Sequence, residues 1–307
     1  MTKIKTTAQR ICISLSLLSL LSLAAALGGS HSSQALLPEA SAAVLPQSDS
    51  SHAENAILNI LLVGQDSRAG ETARSDTMIL CTFSKAEKKL TLTSFLRDLY
   101  VKIPGYGENR LNAAYAFGGS ALLEKTLERN FGIHVDGTVE VDFSCFPEII
   151  DVLGGVSIEL RSDEARLINR SVSGSSLTEG IQSLSGQQAL VYARIRKLDA
   201  DGDFSRTRRQ RKLLIALMNA YRDAGLVKGL ALVKKLMPYV STNMDKETIL
   251  SHARVIAPVM SAMKLSSQTV PAAGTYSSRR INGMDVLVTD MAESGKQLRE
   301  SLGLEEK

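Results

Sequence analysis

A layered α/β domain is predicted by three observations: near-continuous apolar runs of strand length, helical stretches interleaved with them, and no composition break after residue 55. Interleaving argues against separate β and α parts. The chain has 307 residues, 44% hydrophobic and 22% charged, an ordinary globular composition with ample apolar mass for a core. No internal repeat is visible. One domain over 56–307 is expected.

The elements follow in order. AILNILLVG (56–64) is apolar almost throughout and ends at Gly64, the pattern of a strand buried on both faces. TMILCTF (77–83) is a second such run, and KLTLTSF (89–95) alternates Leu90 and Leu92 with Thr91 and Thr93. The polar stretch 84–88 between them predicts a hairpin. Leu122, Leu123 and Leu127 sit at helical spacing in 120–133, which ends near Gly132. A strand is predicted over 138–143, a helix over 146–155 closed by two glycines, and a strand over 156–160. Residues 161–183 lack periodicity and read as a loop. Ser185 and Gln188 form a capping-box signature opening the helix of QALVYAR. Further helices are predicted from about 205 to 224, through Met237, and over 245–263; 283–290 reads as a last strand before a short closing helix.

The N-terminus has a different character. Lys3, Lys5 and Arg10 precede an uncharged run from Ile11 to Leu27, 17 residues or about 25 Å as a helix. The next charged residues are Glu39, Asp49 and Glu54, so the positive charge lies on one side and should stay in the cytoplasm. Residues 1–10 therefore read as a basic cytoplasmic end, 11–28 as a transmembrane signal-anchor, and 29–55, rich in Ser, Ala and Pro, as a flexible stalk. The serines and Ala24–Ala26 also match a cleaved signal peptide. Cys12, Cys81 and Cys145 show no metal spacing; the last two read as small core residues, with a bridge between them as the competing reading.

Four stretches put charge at strand ends and loops, where a core explanation fails. In VGQDSRAGETARSDTM (63–78), Asp66 follows one buried strand and Asp76 leads into the next. Two such carboxylates can converge on one hard cation, with oxygen ligands that suit Mg²⁺ or Mn²⁺. Arg68 and Arg74 share that loop; a solvated turn is the competing reading. In SFLRDLYVKIP (94–104), Arg97 and Asp98 close the alternating strand, as a site pair or a surface ion pair. Arg110 and Asn112 in ENRLNAAYAFGG (108–119) are a weaker signal. The fourth stretch, 192–211, sets Arg194, Arg196, Arg206, Arg208, Arg209 and Arg211 around Asp199, Asp201 and Asp203. Arginine offers a planar fork matched to phosphate. Arg194 and Arg196 can face one site only if the helix gives way to extended chain between them. Arg206, Arg209 and Gln210 share one helix face.

A polyanion is the natural partner of this pattern. The interleaved acids and the export signal count against nucleic acid, and a net charge of +4 does not require it. A divalent cation with arginine clamps is what phosphoryl transfer needs. No GxxxxGK[ST] loop, GxSxG elbow or HExxH helix is present, and the four histidines are scattered.

The blocks GQDSR (64–68), RSDTM (74–78), FLRD (95–98), RLNAAYAFGG (110–119), GQQALVYARIR (186–196) and GDFSRTRRQR (202–211) resemble, in order and spacing, the LytR-CpsA-Psr family. The resemblance covers about 57–221 and extends less distinctively to about 303. It implies a three-layer α/β sandwich, a central mixed sheet flanked by helices, with a hydrophobic tunnel for a polyprenyl tail. It implies transfer of a teichoic acid or capsule-type glycopolymer from undecaprenyl pyrophosphate to peptidoglycan, outside the cytoplasmic membrane. Asp66 and Asp76 would then hold Mg²⁺. Arg74, Arg97, Arg194, Arg196, Arg206 and Gln210 would bind the pyrophosphate, with Arg74, Arg97 and Asp98 in catalytic roles. Asp98 would orient an arginine or act as a base. Leu96 stands where the family usually has Glu, which puts one local contact in doubt. With no Trp and 5% aromatics, sugar stacking would rest on Tyr and Phe. The competing functions are a non-catalytic wall-polymer binder and a membrane-bound transcriptional attenuator.

Overall fold

The computed structural model describes residues 57–66, 74–142, 146–196, 198–199, 203–236, 240–256 and 263–304. The expected basic end, anchor and stalk lie outside these residues, as do Arg68, Cys145 and Asp201. Only the main chain is described for Asp66, Arg74 and Asp76.

The sheet begins with three strands: β1 (Ile57–Asp66), β2 (Arg74–Ser84) and β3 (Lys89–Phe95). The central β2 runs antiparallel to both β1 and β3, Leu61 opposite Leu80 and Cys81 opposite Leu92. The predicted hairpin is there. A second hairpin, β4 (Tyr100–Ile103) and β5 (Gly107–Arg110), was not predicted; four-residue strands carry too little pattern to read. Helix α1 (Leu111–Phe131) starts a full two turns before the predicted 120. Its Gly118–Gly119 pair breaks the helix, with Gly119 at φ 64°, so the glycines mark a kink and not a start.

After α1 come β6 (Gly137–Asp142), α2 (Phe146–Leu153) and β7 (Val156–Leu160), all as predicted. Residues 161–183, expected to loop out, instead hold α3 (Ser162–Ser171) and the start of β8 (Gly180–Leu184), which pairs with β7. The short α3 buries Ala165 and Ile168, a stripe too narrow to stand out against its charged face. Helix α4 (Gly186–Arg194) opens with the expected capping box, where the Ser185 amide donates to Gln188 Oε1 at 2.8 Å. A single long α5 (Asp203–Leu236) replaces two predicted helices. Then follow β9 (Val240–Thr242), α6 (Lys246–Ile256), β10 (Lys264–Val270), the hairpin β11 (Tyr276–Ile281) and β12 (Met284–Thr289), and α7 (Met291–Leu302). The strand β10 had no sequence prediction. Its half-polar KLSSQTV has the look of an edge, and an edge it is.

The six-stranded mixed sheet has the order β10-β3-β2-β1-β6-β9, with β1–β6 and β3–β10 parallel. Alternation sends side chains to two helical layers. Leu61, Val63, Met78, Leu80 and Phe95 pack with Leu123, Leu127 and Phe131 of α1 and Leu298 of α7. On the other face Ile79, Cys81, Leu90 and Leu92 pack with Leu214, Ile215 and Met218 of α5. The expected three-layer sandwich is therefore observed. Cys81 is a free, buried core thiol, and burial pushes it up to about 12.

Between α2 and α4 the backbones nearly touch. A Cβ on Gly186 would lie 2.1 Å from the Pro147 carbonyl oxygen, so only glycine fits. The Gly186 amide is anchored by Asp151 Oδ1 at 2.7 Å.

Candidate active site

The carboxyl ends of β1, β3, β6 and β10 share one edge of the sheet, the place where open α/β sheets gather ligands. Asp66 is the last residue of β1, and its main-chain partner across the ladder is Arg74. Thr77 pairs with Gly64 while Ser75 pairs with Gln65, so Asp76 is the extra residue of a β-bulge. Three sequence-predicted residues, Asp66, Arg74 and Asp76, thus meet within two rungs of one ladder. Bulges of this kind re-aim a side chain at the end of a pairing. Two aspartates whose main chain meets at one sheet edge are of the residue type that supplies oxygen donors to a hard divalent cation.

The next predicted pair lies at the end of β3. Asp98 Oδ2 is 3.5 Å from Arg97 Nε, and its Oδ1 is 3.5 Å from Arg110 Nη1. The corner is held by main chain from two elements, α1 and β12: Asn112 N donates to the Arg97 carbonyl at 3.1 Å, Leu111 N to the Leu99 carbonyl at 2.8 Å, and Leu287 N to the Asp98 carbonyl at 2.9 Å. Arg110 was a weak signal in sequence; the hairpin β4–β5 folds it back onto Asp98. Leu96, in place of the family's usual Glu, is fully buried, and its amide donates to the Val270 carbonyl at 3.0 Å. The main-chain tie to β10 holds the corner without the missing carboxylate.

The arginine-rich stretch divides. Helix α4 ends at Arg194, and Ile195 follows with ψ 125°, an extended residue whose side chain is buried. Arg194 and Arg196 are both exposed on either side of it. Side chains two apart along extended chain share a side, so the stated condition for both to face one site is met. Arg206, at the start of α5, is buried, and Gln210 is half-buried one turn on.

Arg209 does something else. Its Nε donates to Glu164 Oε1 at 2.7 Å, its Nη1 to the Ile195 carbonyl at 3.3 Å, and its Nη2 to Asp199 Oδ2. The Tyr192 ring lies beneath it. With both acids spoken for, Arg209 is a structural cross-link of α3, the end of α4 and α5. It fixes the backbone between Arg194 and Arg196. Asp199 is also bonded by Arg161, and these hydrogen bonds hold its carboxyl down at about 2. The shared helical face expected for Arg206, Arg209 and Gln210 exists, but one member is committed to the fold.

The model of the LytR_cpsA_psr family matches residues 25–301. The regulatory protein MsrR of Staphylococcus aureus is 34% identical over 228 residues, covering 73% of this chain and 68% of that protein. The polyisoprenyl-teichoic acid–peptidoglycan teichoic acid transferase TagT of Bacillus subtilis is 31% identical over 254 residues, covering 80% and 77%. A solved structure of TagT with bound octaprenyl pyrophosphate lipid superposes with a TM-score of 0.61 at 27% identity, covering 85% of this chain and 95% of that one.

Proposed function

Because the chain belongs to the LytR-CpsA-Psr family, we propose that it transfers a glycopolymer, with its linking phosphate, from a polyprenyl-pyrophosphate carrier to peptidoglycan. The similarity to a teichoic acid transferase and to its complex with octaprenyl pyrophosphate supports this reading. So does the run of side chains along α5. Arg206 and Gln210 are followed on the same helical face by Leu214 and Met218, which are half-buried against the sheet together with Ile60 and Leu62. A polar head and an apolar trough in series fit a pyrophosphate with a hydrocarbon tail.

The reaction forms a bond between the acceptor hydroxyl oxygen and the polymer-side phosphorus. It breaks the bridging P–O bond, the hydroxyl proton passes through solvent to the departing phosphate oxygen, and polyprenyl phosphate leaves. Asp66 and Asp76 would hold Mg²⁺, with Mn²⁺ as a substitute, and the ion would neutralise charge on the pyrophosphate oxygens. Arg74, Arg97, Arg194, Arg196, Arg206 and Gln210 clamp the phosphates in line for attack. Both carboxylate oxygens of Asp98 face guanidinium groups, which favours an orienting role over that of a base. The catalytic domain works outside the cytoplasmic membrane, held by the 11–28 segment.

The test uses full-length protein in detergent with undecaprenyl-pyrophosphate-linked polymer and peptidoglycan. Labelled polymer should appear on the wall material only with a divalent cation, and not with Asp76→Ala or Arg196→Ala. Salt-sensitive polymer binding that survives loss of Asp66 and Asp76, without transfer, would instead support a wall-binding protein.

A further inference from the structure

A cavity of about 460 Å³ opens between the first turns of α5, the end of β10 and α7. It is not part of the pyrophosphate clamp. Arg208 and Arg211 line it from α5, one turn apart, and Ser267, Gln297 and Ser301 line it from the other walls. Phe204, stacked on Tyr276, also lines it. No acidic side chain is among its lining residues.

Arg211 is the feature that needs a reason. Its side chain is 6% exposed, yet Nε and Nη1 are buried and make no hydrogen bond among the described residues. Burial, with the like charge of Arg208 adding to it, pulls its guanidinium down to about 10, still fully charged at neutral pH. A buried cation with unused donors is costly unless an anion completes it. The cavity also adjoins the reaction corner: Val270 in its wall accepts the amide of Leu96, the neighbour of Arg97.

We infer that this cavity is an anion-binding subsite, separate from the pyrophosphate clamp, that takes a phosphate or carboxylate carried on a sugar or polyol. Two guanidiniums grip the charge while hydroxyl and amide groups meet the surrounding hydroxyls. A phosphate would come from the repeating units of the donor polymer, a carboxylate from the acceptor wall. That identification rests on the proposed transfer; the subsite itself does not.

Full-length protein in detergent is titrated calorimetrically with glycerol 3-phosphate and, separately, with N-acetylmuramic acid. Saturable binding of either probe is expected, and the probe that binds names the source. Arg211→Gln and Arg208→Gln should each weaken it about tenfold or more, whereas Arg196→Ala should not. Arg208 is exposed, so its variant carries the test even if Arg211→Gln does not fold. Absence of binding by both probes, or binding indifferent to both substitutions, overturns the inference. Turnover is not read, so a failure of the transfer reaction leaves this result standing.

Discussion

Arg110 Nη1 lies 3.5 Å from Asp98 Oδ1, joining two sequence blocks that are separated by the whole β4–β5 hairpin. Neither block is persuasive by itself. Together they form a guanidinium–carboxylate–guanidinium array at the sheet edge that also carries Asp66 and Asp76.

Asp98→Asn keeps the shape and removes the charge that aligns Arg97 and Arg110. Transfer from the lipid-linked donor should fall by about 10²–10³-fold, while donor binding stays within a few-fold. The side chain is 26% exposed, so the melting temperature should barely move. Retention of near-normal transfer would remove Asp98 from the mechanism.

Arg209→Met should act on the fold first. It leaves Glu164, with a side chain 6% exposed, as a buried charge without its main partner. The cost is about 3–5 kcal/mol, read from chemical denaturation. Combining it with Glu164→Leu should recover part of that loss, since the orphaned charge goes too. Additive losses in the double variant would contradict the cross-link.

Acid should expose the same cross-link. Asp199 sits at about 2, below its ordinary 3.8. A depressed carboxyl stabilises above its unfolded value and loses that contribution as pH falls through the folded one. Unfolding monitored between pH 4 and pH 2 should therefore show a steep loss of stability that Asp199→Asn flattens.

Gly186→Ala forces a methyl into the Pro147 carbonyl, 2.1 Å away. Overpacking of about 1–3 kcal/mol should lower Tm by several degrees, with the α2–α4 contact loosened. An unchanged Tm would mean that the two helices separate freely.

Much of this was legible beforehand, and for local reasons. The β2–β3 hairpin is written in alternating Leu and Thr with a polar turn, and the start of α4 in the Ser185–Gln188 pair; both are decided by neighbours in sequence. The strand β10 is not legible because its partner β3 lies far back along the chain, and the segment 161–183 is not because α3 carries only a narrow apolar stripe and β8 is half-polar. The site divides the same way. Asp66, Asp76, Arg97 and Asp98 stand out as charges at strand ends. By contrast, nothing in RTRRQR tells Arg209 from its neighbours. Only Glu164 and Asp199, brought in from elsewhere, show that it is committed to the fold. Arg110 was undervalued because the hairpin that returns it is too short to read.

The carbonyl of Asp98 accepts from the amide of Leu287, and the amide of Leu96 donates to the carbonyl of Val270, both partners coming from the last stretch of the chain. A nascent polypeptide emerging from the ribosome would have every arginine of the clamp long before it had these two struts. Its reaction corner would stay unlocked until the final strands arrived. Prematurely terminated products ending before β10 would therefore carry all the motifs without the two struts that hold the Arg97–Asp98 corner.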